Sequence, residues 1–170
     1  MSPKKHPHFH IKELLGIIKH IIDDTDFKEL KKHRQHMFFN RYEHLINVSF
    51  FAYQLARLFR ADIEVCTLAG LLHDYHFTKI RLHTHALIAA ENAQRFGVDS
   101  EVIEIIQSHM YPFGRTKIKR PTGKNFWIVK VADFFAAAFE IIYSVLFLSF
   151  SHKNIKLRRN KLLIKLLEDL

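Results

Sequence analysis

Six residues in the middle of the chain have the chemistry of metal ligands: His44, His73, Asp74, His85, His109 and Asp133, separated by 29, 1, 11, 24 and 24 residues. Each of the three longer gaps holds a turn signal near its middle, so consecutive helices can double back and return a ligand to about the same level. His73 and Asp74 are adjacent and project about 100° apart on a helix, so one can serve one ion while the carboxylate bridges to a second. Imidazole nitrogen combined with hard carboxylate oxygen suits Fe, Mn, Co or Zn, and the absence of cysteine from the set argues against a structural thiolate zinc site. Two divalent transition-metal ions are therefore the expected cofactors.

A single histidine would not justify a ligand assignment, because half-buried, hydrogen-bonding histidines are common. The apolar setting of Leu71-Leu72-His73-Asp74 and Val131-Ala132-Asp133 changes the balance. An unpaired carboxylate buried there is costly, and a cation removes the cost. Of the thirteen histidines, His6, His8, His10, His20, His33, His36 and His152 are assigned to the surface, while His76 and His83 stay open.

The elements that must position these residues all read as helices, since apolar residues recur at helical spacing and no stretch alternates as a strand would. The spacing predicts helices over 11–22, 26–37, 40–60 with Asn40 as N-cap, 62–74, 84–96 ended by Gly97, and 99–109 opened by Asp99 or Ser100. A long loop over 112–123 precedes an apolar helix over 125–150 and a basic amphipathic one over 154–167. The fold class is all-α. The expected organisation is a polar segment 1–10, a helical bundle 11–150, and the basic C-terminal helix 151–170. The run 134–150 carries Glu140, is slightly short of the ~20 residues of a span, and continues a helix holding Lys130 and Asp133, so it reads as a core helix buried on all sides.

The 170 residues, 48% of them hydrophobic, correspond to one domain able to bury its own core. The single Cys66 cannot form an intramolecular disulfide, and no secretory signal opens the sequence, which points to the cytoplasm. Residues 1–114 carry 14 Lys and Arg against 13 Asp and Glu, whereas 115–170 carry 12 against 4. The basicity is thus local, in Arg115, Lys117, Lys119 and Arg120 and in the C-terminal segment. Such clusters attract phosphate-rich ligands, nucleic acid or an anionic membrane, or serve only as a solvated surface. The C-terminal helix suits packing onto the body or onto a second subunit, as in a homodimer, better than lying on a membrane.

Arg41-Tyr42-Glu43-His44, Gly70-Leu71-Leu72-His73-Asp74 and Val131-Ala132-Asp133, in this order, resemble the HD-domain superfamily of metal-dependent phosphohydrolases over roughly 38–142. With His85 and His109 the chain resembles the six-ligand dinuclear version, as in bacterial symmetrical diadenosine tetraphosphate hydrolases and a related group with an Ile-Ile-x-x-His-Met-x-Pro signature, here Ile105 to Pro112. The resemblance implies a helical bundle around the metals. One ion would take His44, His73, Asp74 and Asp133 and the other Asp74, His85 and His109, with a metal-bound hydroxide as nucleophile. Arg41, three residues before His44 on the same helical face, and Lys79 are expected to steady phosphate oxygens, together with Arg115 and Lys117. Asp74, Arg41 and Lys79 are the candidate catalytic residues.

Departures narrow this reading. His85-Ala86 stands where relatives often have His-Pro, and the nearby His83 competes with His85 for the ligand role. The chain lacks the Gly-Tyr-Pro element of cyclic-dinucleotide phosphodiesterases. The expected activity is hydrolysis of a nucleotide or another small phosphate ester or anhydride, with nucleic acid a less favoured partner. A mixed-valent di-iron oxygenase on the same fold and a non-catalytic metal-containing binding module are the alternatives.

Overall fold

The structure is a computed structural model that describes residues 7–76, 84–112, 121 and 123–148. Lys79, His83, Arg115, Lys117, Lys119, Arg120, His6, His152, the side chain of His8 and the expected C-terminal helix lie outside the described residues.

Among those residues the chain is all-α, with seven helices: α1 (Pro7–Ile22), α2 (Thr25–Glu29), α3 (Arg41–Phe59), α4 (Ile63–Leu72), α5 (His85–Ala93), α6 (Ser100–Ser108) and α7 (Lys124–Leu148). Their starts follow from capping chemistry. Asn40 accepts a hydrogen bond from the Glu43 backbone N–H at 2.9 Å while Glu43 Oε2 accepts from the Asn40 N–H at 3.0 Å, a complete capping box at the head of α3. Asp62 and Asp99 cap α4 and α6 through their carboxylates. Gly97, at φ 65°, ends the 3-10 turn Gln94–Phe96 that prolongs α5.

α3 packs against α4 and α7, α4 also against α6, α7 and α1, and α5 against α6. The core fills with Leu45, Val48 and Ala52 of α3, Leu71 and Leu72 of α4, and Ile106 of α6, all fully buried. Each buried leucine or isoleucine contributes about 1.5–3 kcal/mol relative to exposure. Leu14, Ile18, Ile21 and Ile22 supply the stripe expected for α1, which begins at Pro7 rather than residue 11. Proline suits a first helical turn, where its missing N–H leaves no bond unmade.

Three expectations need correction. The helix expected over 26–37 stops at Glu29, followed by a 3-10 turn, Leu30–Lys32. Beyond it the backbone closes a loop instead, with Arg41 N–H donating to His33 O at 2.7 Å and Gln35 N–H to Phe39 O at 3.0 Å. His33 is extended, at φ −102° and ψ 119°, and Arg34 pairs with Asn40 in an antiparallel bridge, so the chain turns back on itself where the local pattern would continue the helix. As a result His33 and His36 are half-buried rather than at the surface, as is His10 beside Glu13 and Arg57.

α7 is the third correction. Only one face is buried, through Phe126, Val129, Ala132, Ala136, Glu140 and Ser144. Its other face is apolar too, with Val131, Phe134 and Ile142 among residues 40–69% exposed. Among the described residues α7 packs against α3, α4 and α6 through its buried face, whatever its composition. Among the described residues no helix is long and apolar enough to cross a membrane.

Gly70 lets α3 and α4 approach closely, one turn before the His73-Asp74 doublet. A Cβ there would meet Ala52 Cβ and Val48 O at 3.2 Å and Ser49 Cα at 3.3 Å. We expect Gly70→Val to lower stability by about 1–3 kcal/mol through overpacking, read as a lower urea midpoint; an unchanged midpoint would show that the two helices can separate freely.

Candidate metal centre

Three of the six candidate ligands sit at helix ends. His73 and His109 follow the last residues of α4 and α6, where helix carbonyls lack partners within the helix. Each imidazole turns back on its own helix: His73 Nδ1 donates to Gly70 O at 2.9 Å and His109 Nδ1 to Ile106 O at 2.7 Å. A carbonyl only accepts, so in both rings Nδ1 carries the proton and Nε2 is left to face inward. His85 is the first residue of α5. His44 lies in the first turn and a half of α3, behind the capping box, and Asp133 in the middle of α7.

All six converge. His44 Nε2 lies 3.3 Å and His73 Nε2 3.6 Å from Asp133 Oδ1. His85 Nε2 and His109 Nε2 lie 3.3 Å and 3.6 Å from Asp74 Oδ1, while His73 Nε2 is 4.0 Å from Asp74 Oδ2. Two groups, His44–His73–Asp74 and Asp74–His85–His109, each offer ligand atoms within 4.8 Å of one another, and Asp74 belongs to both.

The donor set fits a divalent cation on physical grounds. Asp74 Oδ1 is buried and accepts no hydrogen bond among the described residues, although two imidazoles approach it. His85 Nε2 and His109 Nε2 face each other at 3.0 Å. His109 already donates through Nδ1, so in the neutral ring its Nε2 brings a lone pair toward a carboxylate oxygen and a second imidazole nitrogen. A proton on His85 Nε2 can serve only one of these acceptors and leaves Asp74 Oδ1 without a partner, whereas a cation among them serves all three.

Protonation shows the same demand. Burial works to raise the pKa of Asp74, but the surrounding His73, His109, His85 and His44 charges hold it well below the usual carboxylate range. Asp133, opposed by burial but favoured by His73 and His44, is lowered to about 2. His44 is raised to about 9, since hydrogen bonds to Asp133 and Glu140 outweigh its burial. His109 goes the other way, to about 4, through burial and the neighbouring His73.

Around this cluster stand residues that the spacing of potential ligands did not single out. Glu140, fully buried on α7, accepts from His44 Nδ1 at 3.1 and 3.2 Å and from Asn47 Nδ2 at 2.8 Å. A charged residue inside the apolar run, seven positions after Asp133 and thus two helical turns on, was the available signal. Gln35 Nε2 donates to Asp74 Oδ2 at 3.0 Å. His36 places its ring edge-on to His44 with centroids 5.0 Å apart. Both belong to the loop after the 3-10 turn, where no periodicity marks a residue as inward. Lys130 Nζ donates to His109 O at 2.6 Å, holding the end of α6 to α7.

Arg41 is half-buried beside the centre. Its Nε donates to Gln35 Oε1 at 3.1 Å and its Nη1 to His76 O at 2.6 Å, so it reaches Asp74 through Gln35. His76, left open by the sequence, is buried, and its Nδ1 stands 3.1 Å from the same Nη1.

Known proteins can now be set beside this geometry. A ribonuclease Y of Cutibacterium acnes is 34% identical over 99 residues, covering 56% of this chain and 17% of its own length. A tRNA (cytidine(56)-2'-O)-methyltransferase of Thermoplasma volcanium is 34% identical over 67 residues, covering 39% of this chain and 20% of its own. An uncharacterized protein of Methanocaldococcus jannaschii is 32% identical over 76 residues, covering 42% and 45%. The chain thus spans less than half the length of these curated relatives. No solved structure matches it. The HD domain family matches residues 41–138, a stretch that runs from Arg41 through every candidate ligand to just beyond Asp133, and the chain belongs to the HD domain family.

Proposed function

We propose that the chain is a metal-dependent phosphohydrolase that acts on a nucleotide or another phosphate ester or anhydride. His44, His73, Asp74 and Asp133 would hold one divalent ion, and Asp74, His85 and His109 a second, as in the dinuclear diadenosine tetraphosphate hydrolase-like branch. The observation that carries this reading is Asp74: a buried carboxylate common to two histidine groups, with one oxygen that accepts no hydrogen bond among the described residues. When bound, such ions supply a nucleophile by lowering the pKa of water toward about 7 and polarise the phosphoryl oxygens.

The chain's own residues prepare this chemistry. The Gly70 and Ile106 carbonyls orient His73 and His109. Gln35 holds Asp74 Oδ2, and Arg41 holds Gln35. Asp133 keeps 32% of its side chain exposed against 12% for Asp74, so among the described residues Asp133 is the more accessible carboxylate. Arg41 is assigned to a phosphate oxygen, where a preorganised cation stabilises charge developing in the transition state. Lys79, Arg115 and Lys117 are assigned to the substrate from the sequence alone.

A second reading takes the phosphodiester of an RNA chain as substrate. Two relatives carry names that concern RNA, and the excess of Lys and Arg over Asp and Glu in 115–170 suits a polyanion. A screen of mononucleotides, dinucleoside polyphosphates and an oligoribonucleotide separates the two readings, and no turnover on any of them with Mn or Fe supplied would defeat both.

Elemental analysis after loading with Mn should find about two ions per chain, matching the two ligand groups. Asp74→Ala should lose most of both, whereas His85→Ala should lose about one; equal retention by Asp74→Ala would refute a shared carboxylate. Arg41→Ala should keep its metal but lose roughly 10²-fold in turnover, on the scale of removing one charge-stabilising donor. Metal loss in that variant would assign Arg41 to holding Asp74 through Gln35 rather than to the substrate.

A further inference from the structure

We infer that Glu140 is a positioning residue that fixes the tautomer and orientation of His44, and that it thereby sets the chain's affinity for its metal. This rests on the metal-centre reading above and adds a residue outside the six-ligand set.

His73 and His109 are oriented by backbone carbonyls, because each lies at a helix end where carbonyls lack partners. His44 has no such choice. It lies inside α3, where backbone carbonyls are already engaged along the helix. The acceptor for its Nδ1–H is supplied from another element, as both carboxylate oxygens of Glu140, at 3.1 and 3.2 Å. A carboxylate accepts more strongly than a carbonyl and raises the basicity of the opposite ring nitrogen. That nitrogen, His44 Nε2, is the one facing Asp133.

Glu140 has little freedom to do anything else. It is fully buried, and Asn47 Nδ2 on α3, three residues beyond His44, donates to its Oε1 at 2.8 Å. α3 therefore carries both the candidate ligand His44 and the amide that holds the Glu140 carboxylate in place. An unpaired carboxylate in this apolar setting would be costly, so the contact is retained for as long as the chain is folded.

The group His36–His44–Glu140 also offers ligand atoms within 4.8 Å of one another. An ion there would have to use His44 Nδ1 and expel the proton that Glu140 accepts, which makes it a rival to the arrangement proposed.

Zinc affinity measured by competition with a chelator tests the inference without reference to turnover. Glu140→Met keeps the shape and apolar fit but leaves Nδ1–H unpartnered, and its zinc affinity should fall about 10–100-fold, the usual cost of losing such a partner. Its thermal midpoint without metal should fall, because the His44 Nδ1–H and the Asn47 amide lose a buried acceptor, so affinities are compared between folded chains below both midpoints. Glu140→Gln, whose amide oxygen still accepts from Nδ1–H, should fall between the two. Nitrogen-15 imidazole spectra of the zinc-loaded unsubstituted chain should show His44 protonated at Nδ1 and bound through Nε2, which keeps the test decisive even where Glu140→Met fails to fold.

Unchanged affinity in Glu140→Met, while the unsubstituted chain binds zinc, would overturn this inference alone. So would a His44 bound through Nδ1, or zinc lost in His36→Ala at the level of one ion per chain. An unsubstituted chain that takes up no zinc would overturn the metal-centre reading as well.

Discussion

Asp74 and Asp133 bring two carboxylates into a helical bundle walled by leucine, valine and alanine, where negative charge is tolerated only beside a compensating positive one. Four imidazoles surround them at 3.3–4.0 Å. Protons can supply the charge, and the raised pKa of His44 is the result, but two rings turn their proton-bearing nitrogens away from the acids. What they turn inward are lone pairs. A site of this kind favours a small, multiply charged cation over protons, because one divalent ion satisfies several lone pairs at once.

Helix geometry explains how the rings are held. A helix ends with carbonyls that have no partner within it, and a histidine placed just past the last turn can close one of them with Nδ1. α4 and α6 both end this way, so the same local device is used twice on opposite sides of Asp74. α3 presents its histidine near its start, where the device is unavailable, and recruits Glu140 of α7 instead. The centre therefore depends on α7 packing against α3, and the fully buried Ala132, beside Asp133, and Ala136, between Asp133 and Glu140, lie on the same packed face.

Much of this was legible in the sequence. Asn40, Asp62, Asp99 and Gly97 mark helix boundaries through chemistry that acts within a few residues, and each does in the structure what its type implies. The candidate ligands lie close together for a related reason, since helices joined by turns return to a common level. The loop over 33–40 was less legible. Its sequence reads as more helix, but His33 is extended and Arg34 pairs with Asn40 in a closed loop, and Gln35 and His36 reach the site from it. The second apolar face of α7 shows a limit of another kind, because hydrophobic composition states that a helix can be buried but not on how many sides it finds a neighbour.

Sequence by itself determined the all-α class, the helix starts capped by Asn40, Asp62 and Asp99, and the set of imidazoles and carboxylates available to meet. Those properties arise from hydrogen bonds and periodicities spanning a few residues, so they survive without knowledge of the whole. Tertiary structure decided that Arg41 reaches Asp74 through Gln35, and that a glutamate in an apolar run would find His44 and turn its Nε2 inward. Each of these joins residues from separate elements, 35 and 39 positions apart for the contacts of Arg41 and Gln35 and 96 for His44 with Glu140, and only the packing of α3, α4 and α7 brings them within a hydrogen bond.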